Sequence, residues 1–200
     1  MKRAELVYRE ILYRAIEKNE KRFTQSELYK SLGISLSIVN SAVQRLSGLG
    51  AVKILQRSFT IVDIKKVLYF WASIRNLKKD IILSRRIDMS VRDIERNTPP
   101  KAVYTAYSAY KFKFKDVPAD YSEVYVYAGE NEIEIIKKRF FNNENKKNLR
   151  PNIFILKKDN LIERYEDIPI AQIFVDLWNL GEWYAKEFIN ALDKKIGDML

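Results

Sequence analysis

The sequence predicts an α+β protein, and three observations lead to this prediction. Apolar residues recur at helical spacing in the first 60 residues, and two short extended runs follow them. The run Glu-Val-Tyr-Val-Tyr at residues 123–127 has the β-branched and aromatic content of a strand. From residue 101 onward, helix-type and strand-type segments alternate. Because 47% of the 200 residues are hydrophobic and 31% are charged, we expect folded structure throughout.

Two helices are predicted at the start of the chain. The first covers residues 4–19, and a second, shorter helix covers residues 26–32 after an opening Thr24 or Gln25. Gly33 follows at a position where a helix end or tight turn needs a positive φ. The first helix carries its apolar residues at helical spacing: Leu6, Val7, Ile11, Leu12, Ala15 and Ile16.

A third helix and a hairpin complete the first segment. Ser35 is a predicted N-cap, and the helix after it places Val39, Val43 and Leu46 on one face. Its other faces are rich in side chains that form hydrogen bonds. Extended runs at residues 52–55 and 59–62, joined by Gln-Arg-Ser, predict a small β-hairpin with a basic tip.

The order of these elements resembles the winged helix-turn-helix DNA-binding module. The resemblance covers residues 4–62 and includes Leu-Gly-Ile-Ser at residues 32–35 and Leu-Ser-Gly-Leu-Gly-Ala-Val at residues 46–52. It implies three helices plus a β-hairpin wing. In such modules the third helix enters the major groove of DNA, and the wing contacts phosphate or the minor groove.

This resemblance implies a set of DNA contacts. The amides of Asn40 and Gln44 suit bidentate pairing with adenine, and Arg45 suits guanine or phosphate. Ile38 lies near the same face, where it would contact a thymine methyl, or lies in the core if the helix phase is shifted by one residue. The remaining candidates suit phosphate contacts: Ser35, Ser37, Ser41, Lys53 and Arg57. The alternatives are a merely solvated surface and a wing that binds protein.

The net charge of +10 is concentrated in the first half of the chain. Residues 1–62 carry 11 basic and 5 acidic residues, and residues 63–100 carry 9 and 5. Residues 101–200 carry 16 of each and are neutral. This asymmetry indicates a polyanionic partner for the first half, against the simpler alternative of a solvated surface.

Residues 63–100 are predicted to form a basic connector. Asp63 is a candidate N-cap for a helix that runs to about Lys78, and Ser90 opens a short segment at residues 91–96 that ends before Pro99 and Pro100. We therefore expect a winged helix DNA-binding domain at residues 1–62, the connector at 63–100 and a third part at 101–200. The side of the connector helix away from its apolar face is basic: Lys65, Lys66, Arg75, Lys78 and Lys79.

Residues 101–200 predict a mixed α/β domain with a regulatory or partner-binding role. A strand, or a strand that passes into a helix, is expected at residues 103–107, and residues 142–150 predict a polar loop. Further strands are predicted at residues 123–127 and 151–156, and helices at 132–141, 169–180 and 182–196.

The whole chain resembles the AbiEi-type (type IV) antitoxin family of transcriptional regulators. Three segments carry the resemblance beyond the winged helix: Ala-Tyr-Ser-Ala-Tyr at residues 106–110, a strand at 120–127 and the helix Ile-Ala-Gln-Ile-Phe-Val-Asp-Leu at 170–177. It implies a sequence-specific regulator of double-stranded DNA, and it further implies an antitoxin-like autorepressor with a cognate toxin as partner. A homodimer is a further expected partner, since such regulators commonly read paired half-sites.

Enzymatic function is not predicted, and neither are a metal or a cofactor. The chain contains no Cys and no His, which removes Cys nucleophiles and His-based triads. Asp120 and Glu123 resemble the carboxylates of a nucleotidyltransferase core only faintly, because the expected partner position holds Ser122 and the expected Gly-Ser turn is Tyr107-Ser108. A degenerate enzyme of this type and a protein-interaction module remain the alternatives.

Two further expectations concern the late helix and the location of the protein. Gln172 and Asp176 lie four residues apart on one helix face, as a candidate site or, more simply, as hydrogen-bonding residues. With no apolar run long enough to span a membrane and a charged N-terminus, we expect a cytoplasmic protein.

Overall fold

The computed structural model describes residues 1–141 and 149–200. Within them the chain forms helices and two small β-sheets, so the predicted α+β class is confirmed. Most of the predicted loop at residues 142–150 lies outside the described residues. In the described part of the chain, no helix is long and apolar enough to cross a membrane.

The chain divides into two compact units. The first contains residues 1–75, 169–175 and 192–200, and the second contains residues 76–168 and 176–191. The predicted connector at residues 63–100 is therefore shared: residues 63–75 belong to the first unit and residues 76–100 to the second.

The first unit contains four helices from the N-terminal part of the chain: α1 (Arg3–Glu17), α2 (Gln25–Leu32), α3 (Leu36–Gly48) and α4 (Ile64–Ile74). Their starts follow local chemistry, because the side chains of Thr24, Ser35 and Asp63 each accept a hydrogen bond from a first-turn backbone N–H. The apolar residues predicted for the core of α1 and α3 are buried, apart from the half-buried Leu6.

A three-stranded antiparallel sheet accompanies these helices. Its strands are β1 (Arg22–Phe23), β2 (Val52–Ile54) and β3 (Phe59–Ile61), in the order β1-β3-β2. The hairpin of β2 and β3 confirms the prediction, whereas β1 was not predicted because two residues carry no periodicity. Phe23 pairs with Phe59, and their rings stack with centroids 5.5 Å apart. Through this aromatic pair, Phe23 of β1 packs against the hairpin.

The connector helix is shorter than the sequence predicted. It ends at Ile74 instead of Lys78, because Arg75 adopts an extended conformation and Asn76 caps a separate 3₁₀ helix over Leu77–Asp80. A strand, β4 (Ile81–Arg85), follows and was missed. The 3₁₀ helix and β4 both belong to the second unit.

The second unit is built around a four-stranded sheet in the order β4-β7-β6-β5, with β6 and β7 parallel and the other pairs antiparallel. Its remaining elements follow in chain order: α5 (Val91–Asn97), β5 (Val103–Thr105), α6 (Ala106–Phe114), β6 (Val124–Ala128), α7 (Glu130–Phe140) and β7 (Ile153–Lys157). Every residue of β6 is buried, as expected of a central strand. The last two helices, α8 (Ile170–Trp178) and α9 (Ala185–Met199), contribute residues to both units.

Candidate nucleic-acid interface

Helix α3 has one buried face and one polar face, with the phase that the sequence predicted. Val39, Val43 and Leu46 are buried, together with Ala42. Four polar candidates on this helix are exposed: Asn40, Ser41, Gln44 and Arg45. Because none of the four takes part in the core, the polar face of α3 is available to a partner.

The start of α3 is fixed by the turn before it. Gly33 has φ +63°, and its N–H donates to the carbonyl of Tyr29 at 3.0 Å, which ends α2 with the left-handed residue that glycine favours. The Ser35 hydroxyl then accepts a hydrogen bond from the N–H of Ile38 at 3.4 Å. Ser35 is exposed but its hydroxyl oxygen already serves as the helix cap.

The first turn of α3 carries apolar side chains beside its polar ones. Ser37 is exposed, as predicted, and Ile38 is half-buried. The alternative that the helix phase is shifted is wrong, because Val39 and its periodic partners occupy the core. Leu36 is 49% exposed, so the turn presents an aliphatic side chain next to its hydroxyls.

Arg45 is exposed and also lies close to a buried tyrosine of α1. Burial raises the pKa of the Tyr8 hydroxyl above its ordinary value, and the nearby charge of the Arg45 guanidinium opposes this rise. Tyr8 itself is fully buried. The guanidinium of Arg45 thus lies near α1 and is still exposed.

The hairpin presents its basic residues to solvent. Lys53 pairs with Thr60 across β2 and β3, and the Leu55 N–H donates to the Ser58 carbonyl at 2.8 Å, which closes the turn. Lys53 is exposed, and so is Arg57 in the tip. The hairpin therefore carries both of its predicted basic candidates on the surface.

Arg22 is a further member of this surface that was not predicted from the sequence. Arg22 is exposed on β1, pairs with Thr60 of β3, and its Nε donates to the Ser58 hydroxyl at 3.1 Å. This contact brings a third basic side chain to the hairpin. The one available signal was the Lys21-Arg22 pair before Phe23, which is too short to predict a strand.

The predicted basic side of the connector helix needs correction. Arg75 is buried, and its Nη1 lies 3.4 Å from Oε2 of the buried Glu5, so it is not part of a surface. Lys65 forms an ion pair of 2.8 Å with Asp193. Lys66 is exposed in the first unit, and Lys78 and Lys79 are exposed in the second.

The strand predicted at residues 123–127 forms as β6, but the acidic residues of the faint enzyme-like segment lie before it. β6 begins at Val124, so Asp120, Ser122 and Glu123 all precede it, and Asp120 is exposed. The Glu123 carboxylate accepts hydrogen bonds from the Tyr184 hydroxyl and, at 2.9 Å, from the Ser122 hydroxyl. Among the described residues there is no group of three or more acidic side chains arranged to hold a metal ion.

The two polar residues of α8 are both buried. Asp176 accepts hydrogen bonds from the hydroxyls of Thr105 at 2.7 Å and Tyr127 at 2.6 Å, all within the second unit. Gln172 belongs to the first unit and is fully buried. For Asp176 the simpler of the two expectations, a hydrogen-bonding role, agrees with these contacts.

No family model matches the chain, and no curated protein or solved structure matches it either. The resemblance to the AbiEi-type antitoxins therefore stays a prediction from the motifs of this sequence.

Proposed function

We propose that the protein is a sequence-specific transcriptional regulator that binds double-stranded DNA through a winged helix-turn-helix, with α3 in the major groove and the β2–β3 hairpin as the wing. The observation that carries the proposal is the polar face of α3. Asn40 and Gln44 are exposed there, one helical turn apart, on the side away from the buried Val39 and Val43. Elements α1, α2, α3 and the hairpin follow in the order of that module.

The chemistry of the two amides supports base reading. Within the described part of the chain, neither Asn40 nor Gln44 uses its side chain in a hydrogen bond. An amide carries both a donor and an acceptor, which is the combination that adenine presents in the major groove. Arg45 beside them adds the donors that guanine or a phosphate accepts.

The hairpin supplies the charge that duplex DNA requires. Lys53, Arg57 and Arg22 are all exposed on the small sheet, and no acidic residue lies in β2, β3 or the turn between them. Cations placed this way neutralise phosphates and release counterions, so the binding weakens steeply with salt. Ser37 and Ser41 add neutral hydroxyl donors at the start of α3.

The binding experiment compares fluorescence anisotropy of two duplexes at about 50 to 300 mM salt, the range in which phosphate contacts weaken. One duplex is the sequence upstream of the protein's own gene, and the other is its scrambled form. We expect a preference of about a thousandfold or more for the first. Equal affinity for both duplexes would contradict sequence-specific regulation at that site.

Two variants locate the reading face. Asn40→Ala and Gln44→Ala should each reduce the preference by about tenfold, since one bidentate pair contributes about 1–3 kcal/mol of discrimination. The matched control is Asn131→Ala, which removes an exposed amide from α7 in the second unit. If both α3 variants keep the wild-type preference for the upstream duplex, α3 is not the helix that reads the bases.

The resemblance extends this proposal to an antitoxin-like autorepressor. A cognate toxin and a second copy of the chain are its proposed protein partners, and the second unit is the proposed regulatory or toxin-binding part. The protein is co-expressed with a neighbouring gene product, purified and analysed by size-exclusion chromatography. This experiment shows whether it forms a complex with that product and whether it forms a homodimer.

A second candidate function is that of a protein-interaction module within a toxin–antitoxin or transcription complex. Its support is the exposure of Leu36 and Leu49, which are 49% and 46% exposed near the two ends of α3. Aliphatic side chains in such positions fit a protein surface better than a phosphate backbone. A stable protein complex combined with no DNA binding at low salt would favour this function over the first.

A further inference from the structure

We propose that a cleft at one end of the four-stranded sheet binds a guanine mononucleotide, with the phosphate at Arg86 and Arg150 and the base against Trp183. The cleft lies entirely within the second unit. The proposal goes beyond DNA binding and does not rest on it.

Sheet register brings three chain segments together at this cleft. The Asn152 N–H donates to the carbonyl of Arg85 at 3.0 Å, and the Val124 N–H donates to the carbonyl of Asn152 at 2.9 Å. The end of β4 and the starts of β7 and β6 therefore lie next to one another at the same end of the sheet. Arg86, Arg150 and Glu123 flank these strand ends and line the cleft.

The size of the cleft suits a nucleotide. Its volume is about 760 Å³, and its far wall is the segment of residues 181–184 that precedes α9. Small-molecule sites commonly measure about 300–1,000 Å³.

The two arginines are suited to an anion. Both side chains are exposed, and neither has a hydrogen bond or ion pair with another described residue. Guanidinium groups bind phosphate oxygens through paired N–H donors, which a single lysine cannot do. Two such groups lining one cleft provide donors for a phosphate.

Aromatic rings line the same cleft. Trp183 is 76% exposed, and it meets Tyr184 edge-on, with ring centroids 5.5 Å apart. Phe154 also lines the cleft and stacks on Tyr125 with centroids 4.5 Å apart and an interplanar angle of 8°. A highly exposed indole beside a cleft is a platform on which a base can stack.

Two carboxylates select the base. Glu123 and Glu182 line the cleft, and Glu123 is held in place by the hydroxyls of Tyr184 and Ser122. A carboxylate accepts hydrogen bonds but does not donate them, and it repels phosphate. The part of the ligand that lies beside Glu123 and Glu182 must therefore carry hydrogen-bond donors. Guanine offers adjacent N1–H and N2–H donors, whereas adenine offers only its N6 amine.

A buried hydroxyl lies near the two carboxylates but does not line the cleft. Tyr107 is 0% exposed, and its hydroxyl has no hydrogen-bond partner among the described residues. Burial raises the pKa of this hydroxyl, and the nearby carboxylates of Glu182 and Glu123 raise it further. The phenol therefore stays neutral and adds no charge near the carboxylates.

The test is a titration of the full-length protein with GMP, followed by calorimetry and by Trp fluorescence. Guanosine, inorganic phosphate and AMP are titrated in parallel. We expect GMP to bind at least about tenfold more tightly than each of the other three, because only GMP engages the arginines, the indole and the carboxylates together. Equal affinity for AMP and GMP, or for phosphate alone and GMP, would overturn the assignment, as would no GMP binding at about 5 mM.

Variants separate this cleft from a nonspecific surface. Arg86→Ala, Arg150→Ala and Trp183→Ala should each weaken GMP binding about tenfold, and Trp183→Phe should retain most of the affinity. The matched control is Arg92→Ala, an exposed arginine at the start of α5 that does not line the cleft, and it should change nothing. Circular dichroism checks that each variant is folded. Binding that is the same in the three cleft variants and the wild type would contradict the proposal.

Discussion

The Glu5 carboxylate of α1 accepts a hydrogen bond of 3.4 Å from the Arg75 guanidinium, which lies 70 residues further along the chain and directly after α4. Both side chains are buried, and the same Glu5 oxygen accepts a hydrogen bond of 3.2 Å from the Trp71 indole. A buried charge of this kind is stable only with its partner present. The pair therefore ties α4 to α1 inside the first unit.

Glu5→Gln should destabilise the protein by about 3 kcal/mol, because it removes the buried carboxylate that accepts hydrogen bonds from the Arg75 guanidinium and the Trp71 indole. Urea unfolding at neutral pH measures this change. Lys66→Gln, on the exposed side of α4, is the control and should change the free energy of unfolding by no more than about 0.5 kcal/mol. A Glu5→Gln variant as stable as the control would mean that the pair contributes nothing.

Gly33→Ala should cost about 1 kcal/mol, because φ at this residue is +63° and an L side chain is strained there. Gly48→Ala is the matched comparison. It lies in the last turn of α3, an added methyl would meet no atom within 4 Å, and alanine favours the helix by up to about 1 kcal/mol. In thermal and in urea unfolding, the midpoint should fall for Gly33→Ala and rise for Gly48→Ala. Midpoints that shift in the same direction for both variants would contradict the role given to Gly33 in the turn.

Asp193 should make a stability contribution that is lost in acid. Burial raises its pKa, but the hydrogen bonds from Lys65 and Tyr69 outweigh burial and hold the pKa below its ordinary value. A carboxylate with a lowered native pKa stabilises the folded state above its unfolded pKa and loses that contribution as the pH falls through the native value.

Asp193→Asn should therefore cost up to about 1 kcal/mol at pH 7, and the difference from the wild type should shrink below about pH 4. Asp198→Asn, an exposed residue of the same helix, is the control. Urea unfolding at the two pH values measures both variants. A difference that grows in acid would have the wrong sign for a lowered pKa.

The hairpin cations should set the salt dependence of DNA binding. Lys53→Gln and Arg57→Gln should each reduce the slope of log affinity against log salt by about 0.9, which is the release expected for one phosphate contact. The loss should be equal for specific and scrambled duplexes. Lys138→Gln, exposed on α7, should leave the slope unchanged. Wild-type slopes in both hairpin variants would mean that the hairpin does not contact DNA.

The first unit was largely predictable because its signals are local. Thr24, Ser35 and Asp63 cap their helices through their own first turns, and Gly33 adopts the positive φ that its position indicated. The polar face of α3 followed from the spacing of Val39 and Val43 alone. Such features need no knowledge of distant contacts.

The errors arose where distant contacts decide the structure. The sequence predicts Arg75 on the side of the connector helix away from its apolar residues, yet Arg75 is buried and forms an ion pair with the buried Glu5. β4 was missed because Ile-Ile-Leu-Ser-Arg shows no alternation of apolar and polar residues, and its pairing with β7 depends on a segment about 70 residues away. The grouping of Arg86 with Trp183 was also hidden, since they lie about 100 residues apart in the sequence and only the folded second unit brings both to one cleft.

The most direct test of DNA reading by α3 is selection of binding duplexes from a random pool, carried out in parallel with the wild type and with the Asn40→Ala and Gln44→Ala variants. The proposal predicts that the wild type enriches one sequence motif. It also predicts that each variant still binds DNA but loses base preference at one or two positions of that motif. A wild-type protein that enriches no motif, or variants that enrich the unchanged motif, would contradict it.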